Sequence, residues 1–308
     1  MLWIFLALLG AITNATYFII VKMYITALDP KLLTGIGFTV GGCLLFLLSG
    51  LSGFPSLGPD FFEAVAITSV LNIISLSLIF KALSSSDLSL SVPMLSFTPV
   101  ILIGTSYIIL HEAPSLFGFA GICIIVSGSY VLNISEEHEH YLDPIKAMMR
   151  NHGSWYMLIV AFLFAISINF DKIVLLNSDP FFGMALTVTT IGIALLIIFA
   201  YTRYAVRKKL HIHSSGDADG AVLQARAMPV KQFFLLTLLI GVFIAVEAAS
   251  INVALTLQIV PYVIAIKRLS IIFMVLYGTL VFSERDTKKR IMGAILMVAG
   301  AIIILLFA

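Results

Sequence analysis

The feature that most constrains this chain is a succession of long uncharged runs. A helix needs about 20 mainly apolar residues to cross about 30 Å of hydrocarbon. Ten segments qualify, at roughly 2–22, 32–51, 60–83, 86–110, 115–134, 154–176, 181–202, 231–256, 258–283 and 290–307. They are continuous rather than alternating and too long for barrel strands, so they read as helices. Composition agrees: 60% of the 308 residues are apolar and 11% charged, against about 45–50% and about 25% in soluble domains. So little charge cannot clothe a soluble core, and lipid has to solvate most of the surface. The expected fold is an all-α integral membrane protein of ten transmembrane helices. The first run, Leu2 to about Val21, lacks a positive leader and exceeds a signal-peptide core, so it reads as the first span.

Turn signals fall at the expected ends. Asp29-Pro30, Asp179-Pro180, Ala113-Pro114 and the Gly/Pro-rich stretch from Gly50 to Pro59 each separate two runs. Two connections are long: 135–153, with Glu136, Glu137, His138, Glu139 and His140, and the polar stretch 203–229.

The runs are also related to one another. Lys22 and Asp29-Pro30 recur 150 residues later as Lys172 and Asp179-Pro180. Ala82-Leu83, Glu112, Gly121 and Gly128 recur 172 residues later as Ala254-Leu255, Glu284, Gly293 and Gly300. One insertion the size of 203–229 reconciles the two registers. The chain therefore divides into a first five-helix repeat at 1–134, a connecting loop at 135–153, and a second five-helix repeat at 154–308 with the insertion inside it. Five is odd, so the second repeat enters the bilayer inverted, an arrangement that suits alternating access to a site between the halves. The fifth and tenth spans each carry glycines seven residues apart, Gly121/Gly128 and Gly293/Gly300. Each pair lies on one helix face and lets backbones approach; packing within the chain is the first reading and a homodimer face the second.

The run Pro93…Thr98-Pro99…Leu110-His111-Glu112 followed by Gly121…Gly128, with its echo in Glu284 and Gly293…Gly300, resembles the EamA-type repeat of the drug/metabolite transporter superfamily. The resemblance covers essentially the whole chain. It implies ten helices in two inverted halves and solute transport through a central cavity walled mainly by the first four helices of each half. It also implies both termini in the cytoplasm.

Charge at membrane depth points to function, because it costs about 2.5–3.5 kcal/mol on insertion scales and so faces a cavity or a partner. Glu247, Lys267 and Arg268 qualify. Glu247 lies ten residues before the turn near Leu257 and Lys267 ten after it, so an antiparallel hairpin places both about 15 Å deep. Lys267 and Arg268 would attract an anionic group while Glu247 orients them or exchanges a proton; a permanent ion pair of small net stability is the competing reading. The Lys267-Arg268 pair also resembles the ninth-helix pair of the sugar-phosphate branch of that superfamily, which implies an anionic substrate. The repeat sets Ser75, Leu95 and Ser96 opposite Glu247, Lys267 and Arg268.

Polar stripes add candidates. Thr68, Asn72 and Ser75 share one face of the third span, and Thr13, Thr16 and Tyr17 share one of the first, with Asn14 beside them. They would line the solute path or form interhelical hydrogen bonds of about 0.6 kcal/mol. Glu247, Lys267, Arg268, Asn72, Ser75, Asn14 and Tyr17 are thus the expected substrate-binding or coupling residues. Lys22 and Lys172, near helix ends, are expected to snorkel to the interface.

Other function classes find little support. Net charge is +2, with no basic face for nucleic acid. Cys43 and Cys123 lie inside apolar runs, and His111-Glu112 lacks the second histidine of a zinc-protease helix. His138 with His140, and His211 with His213, read as solvated loop rather than a metal site. No metal and no cofactor is expected. The reading is a secondary-active transporter, not an enzyme, moving a small polar or anionic metabolite, with proton coupling or exchange left open. A non-transporting sensor or accessory protein is the alternative, and an intramembrane enzyme a weaker one. The expected location is the plasma, or inner, membrane.

Fifteen of the 18 Lys and Arg lie in or beside the odd-numbered connections, and Lys172 alone lies beside an even one. The positive-inside rule places the odd connections in the cytoplasm and both termini outside, opposite to what the resemblance implies. A C-terminal reporter active only in the cytoplasm is expected to stay silent in cells; a strong signal would reverse this orientation.

Overall fold

A computed structural model of the chain describes residues 1–24, 28–85, 92–132, 152–213, 229–274 and 287–307. Helices dominate, and no strand occurs among the described residues. They are α1 (Leu2–Tyr24), α2 (Pro30–Ser52), α3 (Phe61–Ser85), a 3₁₀ segment (Val92–Phe97) leading into α4 (Thr98–Leu110), α5 (Leu116–Leu132), α6 (His152–Leu176), α7 (Phe182–His213), α8 (Val230–Leu257), α9 (Val260–Lys267) and α10 (Thr287–Phe307). Lipid offers backbone groups no hydrogen bonds, so each span closes its own. Among the described residues six helices, α1, α2, α3, α6, α7 and α8, are long and apolar enough to cross a membrane; Met94–Leu110, Leu116–Leu132 and Ile291–Phe307 are shorter apolar helices.

The repeated Asp-Pro acquires a physical role. Asp29 Oδ1 accepts the Lys31 N–H at 2.9 Å at the start of α2. Asp179 Oδ1 accepts the Phe181 and Phe182 N–H groups at 2.6 Å each at the start of α7. Each aspartate satisfies amide donors that the second helix of its half would otherwise leave bare.

Three stretches differ from the sequence reading, one being the fourth span, expected as a single helix over 86–110 but 3₁₀ over Val92–Phe97. Residues 203–213, expected in a loop, continue α7 to His213. The ninth span, expected to run unbroken over 258–283, is interrupted. α9 ends at Lys267, Arg268 and Leu269 form a turn, and helix resumes over 270–274. Around the break the backbone tightens to three-residue spacing: Leu269 N–H bonds Ile266 O, Ile271 N–H bonds Arg268 O and Ile272 N–H bonds Leu269 O, at 3.0–3.1 Å. Shifted by the repeat spacing, this break coincides with the 3₁₀ segment Val92–Phe97, so the fourth helix of each half loses α geometry at one equivalent place. A 3₁₀ stretch inside a helix often marks a hinge. Pro93 lies within that segment and Pro99 just after it in the first half, whereas no proline lies within Ile264–Met274.

Packing respects the repeat. α1 packs on α8 and its equivalent α6 packs on α3, while α2 packs on its own equivalent α7 and α5 on α10. At the last contact Gly121 meets Gly300 and Gly128 meets Gly293, in antiparallel register. A Cβ on Gly128 would stand 2.7 Å from both Gly293 O and Met297 N. The glycine pairs thus serve packing within the chain, and a second copy would need a different surface.

The connections after α2, α4, α6 and α8 gather on one face, here called the even face. Gly58 N–H donates to Asn177 O at 2.9 Å, and Ser115 Oγ donates to Phe307 O at 3.1 Å, which brings the end of α10 to the same side.

Backbone-to-backbone contact leaves no room for a larger residue. Gly128→Leu is expected to destabilise the protein by about 1–3 kcal/mol through overpacking. Gly104→Leu, where nothing lies within 4 Å of an added Cβ, is the neutral control. Thermal unfolding in detergent, with the two variants side by side, checks the difference.

Candidate functional site at the centre of the bundle

The hairpin of α8 and α9 produces the juxtaposition expected from its residue spacing. Lys267 Nζ lies 2.7 Å from Glu247 Oε1, with the two side chains 29% and 14% exposed. Asn14 on α1 donates its Nδ2 proton to the same Glu247 oxygen at 2.8 Å. One carboxylate therefore joins helices of both halves at the level where α9 breaks. Charge-assisted bonds of this kind are stronger than neutral ones where water is scarce.

Arg268, next along, faces a different environment, as the rotation of about 100° per helical residue requires. Among the described residues its buried Nε has no hydrogen-bond partner and it forms no ion pair. An unpartnered buried donor is costly. Of the two adjacent cations, Lys267 is occupied by Glu247 and Arg268 keeps donor capacity.

The remaining candidates divide. Thr13 and Thr16 bond carbonyls of their own helix, at Leu9, Gly10 and Ile12. Tyr17 reaches across instead, its hydroxyl 3.4 Å from Thr34 Oγ1 on α2, and it lies in the electrostatic field of Glu247. Asn72 binds Ser167 Oγ on α6 at 2.6 Å and Thr68 O at 2.9 Å. Ser75, the repeat counterpart of Glu247, is buried, and its hydroxyl has no partner among the described residues. Ser96, the counterpart of Arg268, pairs with Ser129 Oγ at 2.6 Å.

Sequence reasoning missed the sixth helix. Asp171 accepts the Thr68 hydroxyl proton at 2.5 Å, and Thr68 Oγ1 lies 2.8 Å from Ser167 Oγ. The proton directions follow with Asp171 ionised. An ionised carboxylate only accepts, so Thr68 spends its single proton on Asp171. Thr68 must then accept from Ser167, whose oxygen in turn accepts from Asn72. The chain Asn72, Ser167, Thr68 and Asp171 is polarised toward the carboxylate, which lies in the field of Lys267. The missed signal was the spacing of Ser167 and Asp171, four residues apart on one helix face. Asp171 adjoins Lys172 near a helix end, where Lys172 was expected to snorkel.

Lys172 is the plainest correction. It was expected to snorkel, yet it is 9% exposed and forms an ion pair with Glu112 at the end of α4. Glu112 Oε2 accepts the Val260 N–H at the start of α9 at 2.8 Å, and Lys172 Nζ donates to Gln258 O at 3.1 Å. The pair thus serves bare backbone groups on both sides of the α8–α9 turn. The side chains of Lys22 and Glu284, and the His138–His140 run, lie outside the described residues.

A cavity of about 270 Å³ between α1, α2 and α8 is walled by Leu9, Leu48, Val246 and Ala249 among others and holds no charged side chain. Leu48 and Val246 are exposed, so it opens where lipid would lie.

Comparison with known proteins completes the description. Residues 1–134 and 151–306 match the model of the EamA-like transporter family. No curated protein matches the sequence. A solved structure, titled only as the crystal structure of a protein, superposes with a TM-score of 0.71 at 14% identity, covering 98% of this chain and 99% of that one. At that identity the likeness concerns the fold.

If Glu247 and Lys267 are mutually dependent, Lys267→Met leaves a partly buried carboxylate unpaired and is expected to cost up to about 3–5 kcal/mol. The double variant Glu247→Gln/Lys267→Met should recover most of that loss. Thermal unfolding of the four proteins in one detergent checks the cycle, and additive losses would show that the pair does not act as a unit.

Proposed function

We propose, from the premise that this chain belongs to the EamA-like transporter family, that it is a secondary-active carrier of a small polar or anionic metabolite. Its two five-helix repeats stand inverted in the membrane and expose the α8–α9 charge site to each face in turn. The observation that carries this reading is the central cluster at the α9 break. Glu247, Lys267 and Asn14 tie helices of both halves together at mid-depth, and Arg268 beside them keeps an unpartnered buried donor.

The chemistry divides between the two cations. Arg268 supplies donors for a carboxylate or phosphate oxygen. Its planar guanidinium suits that geometry, with two parallel N–H bonds available to one anionic group. Lys267 is neutralised by Glu247, so it contributes to anion attraction only when Glu247 is protonated or drawn away. A proton or a solute arriving at Glu247 would therefore change the positive charge presented to the second ligand, which is the coupling that symport or exchange requires. Tyr17, Asn72 and Ser75 contribute neutral polar contacts along α1 and α3. The asymmetry suits a directional site: the second half carries the charges, while their counterparts in the first half are Ser75, Leu95 and Ser96. The charge bias of the connections supports an orientation with the even face and both termini outside.

Uptake and counterflow in proteoliposomes loaded with pooled labelled metabolites test the reading. At least one polar or anionic solute should accumulate with the parent protein. Glu247→Gln and Arg268→Ala should each lower its initial rate at least tenfold, while Thr256→Ala, whose hydroxyl bonds only its own helix at Val253 O, leaves it unchanged. Transport that survives both charge removals would sink the central-site assignment.

A further inference from the structure

On α6 two adjacent ionisable residues project in different directions: Asp171 into the polarised chain in the field of Lys267, and Lys172 onto Glu112. We propose that the Glu112–Lys172 pair is the latch that closes the solute path on the even face, and that Asp171 links it to the central charge site. The proposal rests on the transport reading above and names its gate.

The geometry sets this pair apart from an ordinary surface ion pair. Glu112 belongs to the first half, whereas Lys172, Gln258 and Val260 belong to the second, so every bond the two side chains make crosses between the halves or ties α6 to the α8–α9 turn. Both carboxylate oxygens are used, one by the lysine and one by a backbone amide. The side chains are 11% and 16% exposed, unlike a pair held loosely at an interface. α4 presents Glu112 rigidly: it ends on His111 in the left-handed region, at φ 56°, and Glu112 N–H closes back on Ser106 O at 3.2 Å. Tyr262 extends the same seam, its hydroxyl accepting the Ser115 N–H at 2.8 Å. All four elements meeting here, the end of α4, the end of α6, the α8–α9 turn and the start of α5, lie on the even face, and the central ion pair lies deeper along α8 and α9.

Closure at this seam has to be reversible if solute is to leave by this face. A two-point ion pair between otherwise apolar elements suits that, since water entering the seam compensates both charges when it opens. Asp171 supplies the link. It is one residue from Lys172 on a continuous helix, so a rotation or slide of α6 that relieves one contact disturbs the other. When Glu247 takes a proton, Lys267 loses its charged partner, and Asp171 is a carboxylate within its electrostatic reach. Attraction of Lys267 toward Asp171 would pull on α6 and so on the latch.

Spin labels test this without a known solute. In a background lacking Cys43 and Cys123, labels at Ala113→Cys and Leu176→Cys, both at exposed positions, bracket the pair from the first and second halves. In proteoliposomes the parent should give a distance distribution dominated by one short component. Glu112→Gln or Lys172→Met should add a longer component. Asp171→Asn should shift the population in the same assay although both latch residues remain. An unchanged distribution in the two single variants overturns the latch. A distribution insensitive to Asp171→Asn removes the link. Should one single variant not fold, the other carries the test. Solute uptake is measured separately: a latch that opens in a protein that moves no solute refutes the transport reading alone, and uptake dependent on Arg268 with an immobile seam refutes the latch alone.

Discussion

Hydrocarbon cannot solvate a charge, and the inner architecture of this protein follows from that constraint. Each intramembrane carboxylate has to find donors from other helices, because its own backbone is already fully bonded. Glu247 finds Lys267 and Asn14, Asp171 finds Thr68, and Glu112 finds Lys172 and the Val260 amide. Each of these sets reaches across helices, and each includes residues of both repeats. The apolar residues allow the helices to exist in lipid, and the few charged ones determine which helices adjoin.

The same constraint separates static from adjustable contacts. α5 and α10 meet through glycine backbones, where a Cβ would stand within 3 Å of a carbonyl oxygen or an amide nitrogen of the opposing helix. Such a seam cannot slide without losing its close approach, so it serves as a fixed scaffold. Beside an apolar cluster of Phe61, Ala64, Val65 and Val174, α6 meets α3 and the end of α4 through hydroxyls, amides and one ion pair, whose partners can be exchanged. The two equivalent breaks, at Val92–Phe97 and around Arg268, lie in the helices that border this polar interior. Discontinuous helices near the midplane of paired repeats are where carriers place their sites, and the location of Arg268 at such a break fits that pattern.

Periodicity and depth are properties of a single helix, and they were legible in the residues alone. The runs located the helices to within a few residues, except where α7 continues past residue 202 and where the fourth and ninth spans lose α geometry. Counting from the turn near Leu257 placed Glu247 and Lys267 at one level, where they meet. The repeated Asp-Pro marked equivalent helix starts, and Asp29 and Asp179 each cap one. The polar stripe on α1 was seen, but its members could not be ranked: Thr13 and Thr16 turn to their own carbonyls, whereas Asn14 and Tyr17 reach other helices.

The sequence by itself thus determined the solvent, the approximate helix positions, the internal repeat and the pairing of two charges across a short hairpin. All of these depend on neighbours along the chain or on counting residues from a turn. Only the tertiary structure decided that Lys172 turns inward to Glu112, 60 residues before it, and that Asp171 terminates a hydrogen-bond chain begun on α3. It alone showed that the ninth span breaks without a proline. Those outcomes depend on which helices stand side by side and at what rotation. Lateral packing of the two halves sets both, and the spacing of residues within one helix does not encode them.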